Sequence, residues 1–363
     1  MSELQIALLA IGAGVIVAVY VYGWWQQRQF RRKFGASFRT TQGDALYGSD
    51  APVTVPSIEV AFDATTSFQA ESHSGDATAG KTDAACALLD ARSDFIIELK
   101  LKEPSPASVL GGFWQRKFDF GKPVQVCGIP HSDKPDTGKS WERAIAEGTG
   151  LYTRLRIALQ LVDRGGAISV TRLGDFRDLV AGIAQQIMAD ATIPELDGAH
   201  RAALELDEFC AGVDQMVGIN LVQPGERPLF GGKIAQAAAM LGMTLETDGA
   251  FHLLDARRHS LFSLVNRDNQ PFQHHTLGTF TTRGVTLLMD VPRVEDPVNQ
   301  FDVMLQVARR LSNELQVNMV DDNLAALSEL GLERIRDRIA EVEQKMRERG
   351  LPPGSAQARR LFA

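Results

Sequence analysis

The sequence is short of cysteine and of basic charge, and each shortage narrows what the chain can be. Its three cysteines, Cys86, Cys127 and Cys210, lie far apart and form no CxxC pair. Such spacing argues against a zinc site or a disulfide framework and favours reduced thiols in a cytoplasmic setting. With 38 Lys and Arg against 45 Asp and Glu, the net charge is −7 and the pI about 5.6. The broad basic footprint of a nucleic-acid binder is therefore missing, and no nucleic-acid partner is expected.

Catalytic and cofactor motifs are absent as well. "DTGKSW" (136–141) has the GKS of a phosphate loop, but Asp133 stands where the first glycine is required. "GGKI" (231–234) fails with Arg227 at that glycine and Ile234 where a hydroxyl should hold magnesium. His274 and His275 are adjacent and lack partners at metal-ligand spacing, and "VDDN" (320–323) lacks the spaced oxygens of a calcium loop. No GxSxG elbow or local Cys–His signature occurs. No enzyme, metal or cofactor is expected.

What the sequence does have begins at its N-terminus. "LQIALLAIGAGVIVAVYVYGWW" (4–25) is uncharged and matches the ~20 apolar residues a bilayer requires. Tyr20, Tyr22, Trp24 and Trp25 form an interfacial belt, followed by Arg28, Arg31, Arg32 and Lys33. A cleaved signal would carry its bases before the apolar run. Here they follow it, which places the N-terminus outside and the bulk of the chain in the cytoplasm. Residues 34–91 hold eight Asp and Glu against two Lys and Arg, without a sustained apolar period. That composition reads as a disordered acidic linker, able to span about 40–45 Å as a coil.

Two α+β segments follow and resemble each other. "FIIELKL" (95–101) opens the first and "VGINLV" (217–222) the second, each leading into a short amphipathic piece. Strand-like runs come next: "PVQVCGI" and "LRIALQLV", then "LFSLVN" and "GVTLLMDV". Each segment closes on a helix, with Phe176, Leu179, Val180, Ile183 and Ile187 forming the first stripe. Phe301, Met304, Leu305, Ala308 and Leu311 form the second. The pattern predicts a β-α-β-β-β-α unit used twice, offset by about 122–128 residues.

The second segment carries a resemblance. "LFSLVN" (261–266), "FTTRGVTLLMDVP" (280–292), "FDVMLQVARRLSNEL" (301–315) and "VDDN…L…IRDRI" (320–339) are similar to the C-terminal domain of ZipA-type cell-division proteins, from Met216 to Ile339. The resemblance implies an antiparallel sheet with helices on one face, a split β-α-β type of α+β fold. Its open face takes the C-terminal tail of the tubulin-like division protein FtsZ. It also implies an inner-membrane anchor, a basic juxtamembrane stretch, a linker and a cytoplasmic domain. Two features depart from it: the linker is not rich in Pro and Gln, and residues 92–210 have no obvious counterpart.

Alternation then assigns faces. Val217, Ile219, Leu221, Phe262, Leu264, Val285, Leu287 and Met289 point inward. Met216, Gly218, Val265, Arg267, Thr286 and Leu288 point outward and are the expected partner-binding residues, with Asn220 and Ser263 on the same side. Arg267 and Asp248 stand where tail-binding members tend to be apolar. The expected organisation is an anchor with its basic stretch (1–33), the linker (34–91), one α+β module (92–204), the ZipA-like module (205–345) and a flexible tail (346–363). The expected role is a membrane-anchored adaptor for FtsZ. The alternative is a tethered small-molecule sensor built from paired ferredoxin-like modules.

Overall fold

A computed structural model describes residues 83–131, 140–268 and 270–363. The expected membrane span at 4–25, the basic stretch after it and most of the linker lie outside the described residues. Among the described residues no helix is long and apolar enough to cross a membrane. Two compact units emerge, residues 83–214 with 343–363, and residues 215–342. The boundary expected at 204/205 falls inside one continuous helix, Leu196–Val213, which buries Ala203, Leu206 and Cys210 along one side.

The first unit opens with a single helical turn, α1 (Ala84–Ala87), then β1 (Asp94–Pro106), α2 (Gly112–Arg116), β2 (Val124–Pro130), β3 (Glu142–Arg143) and β4 (Leu151–Gln160). A small hairpin, β5 (Val162–Asp163) and β6 (Gly166–Ala167), leads into α3 (Val170–Gln186), β7 (Asp190–Thr192) and α4 (Leu196–Val213). The sheet runs β3-β2-β4-β1-β7, every pair antiparallel. Its inner face presents Phe95, Ile97, Leu99, Leu155, Ile157 and Leu159, all buried. Ser169 caps α3, its hydroxyl accepting from the Arg172 amide at 3.4 Å. Phe176 of α3 sits edge-on to Phe95, Phe113 and Phe120, centroids 6.2, 6.4 and 5.1 Å away. The stripe read from sequence thus becomes the aromatic centre of this core.

Three expectations fail in this unit. Residues 83–91, assigned to the disordered linker, are ordered: Asp83 caps α1 through the Ala85 amide (2.8 Å), and the Asp83 amide donates to the Trp141 carbonyl (2.8 Å). The expectation of reduced thiols fails too, because Cys86 and Cys127 form a disulfide. Separated by 41 residues in sequence, they become neighbours because residues 83–89 fold back as a strap against the β3–β2 edge of the sheet, a contact that spacing along the chain does not reveal. The third is the flexible tail. Residues up to Glu348 belong to a helix, and Ala356–Leu361 forms another, capped by Ser355. Ala358, Leu361 and Phe362 are buried. The Arg360 guanidinium grips the fully buried Asp94 carboxylate, its Nη1 donating at 3.0 Å. Burying three apolar side chains and pairing one buried charge offsets the ordering entropy that a short polar tail could not.

The second unit runs β8 (Met216–Val222), β9 (Leu229–Phe230), α5 (Gly231–Met240), β10 (Thr244–Leu245), β11 (Phe251–Leu254), β12 (Ser260–Asn266), β13 (Thr281–Thr282), β14 (Gly284–Asp290), α6 (Pro297–Leu315), β15 (Asn318–Val320) and α7 (Glu329–Glu348). Its sheet order is β10-β11-β12-β14-β8-β15, again antiparallel throughout. Pro297 starts α6 at its first turn, where a missing amide costs nothing. Gln316 ends it in the left-handed region. Phe301, Met304, Ala308 and Leu311 of α6, with Ile234, Ala237 and Ala238 of α5, are buried. Together they cover Val217, Ile219, Leu221, Leu287 and Met289, all likewise buried. The inward set expected from alternation is the core. Four consecutive strands, running in from one edge, keep one chain order in both sheets: β2-β4-β1-β7 in the first and β12-β14-β8-β15 in the second. The strands beyond β2 and β12 differ, since β3 follows β2 in sequence whereas β11 precedes β12.

Candidate peptide-binding face

The helices of the second unit cover one face of its sheet, and the pairing fixes what stands on the other. β14 faces β8 with Leu288 opposite Gly218, Thr286 opposite Asn220 and Asp290 opposite Met216. It faces β12 with Leu288 opposite Ser263 and Thr286 opposite Val265. Five of the six expected residues, Met216, Gly218, Val265, Thr286 and Leu288, therefore share one surface of three adjacent strands and are half-buried. The Leu288 side chain lies over Gly218: a Cβ placed there would come within 3.3 Å of Leu288 Cδ2. Glycine opens a shallow floor, and leucine fills part of it.

Arg267, the sixth, follows the end of β12 and is exposed. Its amide donates to the Gly284 carbonyl at 3.1 Å. Its Cδ lies 3.5 Å from where a Gly284 Cβ would be, so the apolar stem runs along the outer face. The guanidinium thus marks one end of the face and Asp290 the other.

One outward residue is closed over. Asn220 is only 6% exposed. It accepts from Thr286 Oγ1 (2.8 Å) and donates to Asp322 Oδ1 (2.9 Å). Asp321 builds the turn above it, accepting from the amides of Asn323 and Ala325 at 2.9 and 2.8 Å. "VDDN" is thus a turn that shuts the β15 side of the face, leaving its open part over β8, β14, β12 and β11.

Two further residues on this face escaped sequence reasoning. Leu261 alternates outward with Ser263 and Val265 and is half-buried. The same alternation that exposed Val265 could have found it. His252 stands opposite Ser263 across β11–β12. Its Nε2 meets Asp248 Oδ2 at 2.9 Å and its Nδ1 meets Ser260 Oγ at 2.7 Å. Only the strand register could have placed it there. Asp248 accordingly faces a histidine at the rim, its carboxylate still more than half exposed. Cys210 belongs to the first unit, where burial, with Asp207 and Asp214 nearby, pushes its thiol up to about 12. Among the described residues no His, Cys, Asp or Glu cluster could hold a metal.

Comparison with known proteins meets the same segment. Residues 215–338 match the family described as "ZipA, C-terminal FtsZ-binding domain". Cell division protein ZipA of Colwellia psychrerythraea is 26% identical over 137 residues, 37% of this chain and 36% of that protein. The protein of the same name from Stutzerimonas stutzeri is 28% identical over 139 residues, 37% of this chain and 51% of its own length. That of Ectopseudomonas mendocina is 26% identical over 149 residues, 40% and 55% respectively. The chain thus covers between 36% and 55% of the length of these three relatives. The match begins within one residue of β8 and ends inside α7, so sequence likeness and fold delimit the same unit. Through residues 215–338, the chain is similar to ZipA-type proteins.

Proposed function

We infer that the protein is a non-enzymatic adaptor that binds the C-terminal tail of FtsZ on the outer sheet face of residues 215–338. Residues 4–25 would anchor it in the inner membrane, with the N-terminus periplasmic and the bulk of the chain cytoplasmic, tethering FtsZ polymers at the division site. The observation that carries this reading is the half-buried row of Met216, Leu288 and Val265 above the floor at Gly218. Exposed apolar residues are ordinary one at a time; several on one sheet face backed by a rigid core are a docking surface. The comparisons lend no support to the sensor alternative.

Titrating the FtsZ tail peptide into the chain and two variants tests this reading. Fully burying a leucine is worth about 1.5–3 kcal/mol, so Leu288→Asp should weaken binding tenfold to a hundredfold or more. Its fold should survive, because Leu288 already meets solvent. Leu287→Asp buries a charge at a fully enclosed position and should unfold the unit. Full-strength binding by a folded Leu288→Asp variant would move the groove elsewhere.

A finer proposal concerns ancestry. The common order of four consecutive strands, the helix that follows the third of them in each unit, and the buried Phe176 and Phe301 on those helices support two copies of one ancestral unit. Superposing β1-β2-β4-α3-β7 on β8-β12-β14-α6-β15 tests it. Helices that pack against opposite faces would overturn it.

A further inference from the structure

The outer face of the first sheet is built unlike that of the second. Register places Arg143, Cys127, Arg156 and Glu98 in one row across β3, β2, β4 and β1. Cys127 therefore has an arginine directly opposite it on either side, where paired Cβ atoms stand about 4.5–5.5 Å apart. Arg156 stacks on Trp141, 3.9 Å from the ring centroid, and Glu98 is shared between Arg154 and Arg156. Gln125 Nε2 lies 3.6 Å from Cys127 Sγ and 3.8 Å from Cys86 Sγ. Positive charge beside a cysteine favours its thiolate, the form that exchanges. All three cysteines are buried, but Cys210 has Asp207 and Asp214 beside it where Cys127 has arginines.

The strap that carries Cys86 is weakly held otherwise. Its helix has only four residues, too few to stand alone. Asp83, Ala84 and Ala87 are exposed, and Cys86 is its one buried side chain. Among the described residues, beyond the disulfide and the Gln125 contact, it is tied by the Asp83 amide to the Trp141 carbonyl and by Arg360 Nη1 to the Leu88 carbonyl, a long 3.4 Å contact.

We propose that Cys86 and Cys127 form a reversible redox pair that exchanges with low-molecular-weight thiols and disulfides. Oxidised, it fastens residues 83–89 against the β3–β2 edge of the first sheet; reduced, it releases them and uncovers Cys127. In the oxidising direction the Cys127 thiolate attacks one sulfur of a small disulfide and expels one thiolate. The Cys86 thiolate then attacks the Cys127 sulfur of that mixed disulfide and expels the second. Two protein thiols lose two electrons and two protons, and one small disulfide becomes two thiols. The pair lies in the first unit, so the proposal stands independently of the FtsZ groove.

The full chain in detergent, equilibrated in glutathione buffers from fully reducing to fully oxidising, then acid-quenched and alkylated, tests this by mass spectrometry. Cys86 and Cys127 should convert together in one reversible two-electron transition, while Cys210 is found as a thiol in every buffer. Amide hydrogen exchange over 84–89 should rise at least severalfold in the reduced form. In Cys86→Ser, Cys127 should alkylate several times faster than the denatured chain at the same pH, and Arg143→Gln should remove much of that advantage. Because wild-type reduction gives the same readout, a misfolded variant leaves the test intact. Two separate thiols in the most oxidising buffer would overturn the proposal, as would a bond that survives the most reducing one.

Discussion

At the residue scale, the consequential feature is the contact between Gly218 and Leu288. Gly218→Ala would put a methyl group 3.3 Å from Leu288 Cδ2 and 3.6 Å from Thr286 Cγ2, with the nearest backbone atom at an ordinary 3.8 Å. The end of a leucine can yield a few tenths of an ångström, and alanine loses less entropy than glycine in a strand by roughly 0.5–1 kcal/mol. The variant should melt within a few degrees of the parent but bind the tail peptide severalfold more weakly, because the floor is raised. Unchanged affinity would place the peptide away from Gly218. Asp255 gives a pH prediction beside the same face. It accepts from the Arg257 and His259 amides at 2.8 and 2.7 Å, which hold its carboxyl below the usual range; the His259 amide contributes most. A lowered folded pKa means stability that is present above the unfolded value of about 4 and is lost as pH falls through the folded one. The amide resonances of Arg257 and His259 should therefore show a transition at pH below about 4, the one that reports Asp255.

At the element scale, long periodic segments were legible and short or returning ones were not. β1, β8, β12, β14, α3 and α6 follow from alternation or a 3.6-residue stripe, because one face of each is buried. β7 and β15 hold three residues each, too few to show alternation, and complete their sheets only through pairing with β1 and β8. The last residues misled for another reason. Gly350, Pro352, Pro353 and Gly354 read as a flexible end, yet Gly350 and Gly354 take positive φ in a turn that redirects the chain. The missed signal was Ser355 followed by Leu361 and Phe362, a cap ahead of an apolar end. Arg360→Ala tests what that helix does. It strips the guanidinium from a fully buried Asp94, a loss of about 3–5 kcal/mol when one partner of a buried pair is removed. Asp94 keeps the Ser93 hydroxyl at 2.8 Å and the Asp90 amide at 3.1 Å, so the low end of that range is expected in chemical denaturation. A change under about 1 kcal/mol would mean that the helix is not closing this unit.

At the scale of the whole molecule, the membrane reading and the disulfide constrain each other. Bases after the apolar run at 4–25 argue that everything beyond it faces the cytoplasm, where small thiols keep most disulfides reduced. Disulfides that do form in that compartment are usually transient, catalytic or redox-sensing. Two probes of one cell separate the possibilities. A reporter that fluoresces only in the cytoplasm, joined at the exposed Ala363, should light up, and a periplasm-specific enzyme joined there should stay inactive. Rapid acid quenching and alkylation of the same cells should then find Cys86 and Cys127 mainly as thiols during reducing growth and bonded after oxidant stress. A dark cytoplasmic reporter with an active periplasmic one would reverse the orientation. It would turn the disulfide into an ordinary extracytoplasmic staple and remove the FtsZ tail from reach of the outer face at Leu288, because that tail belongs to a cytoplasmic polymer. The orientation of the first segment thus decides both what the pair can sense and what the second sheet can bind.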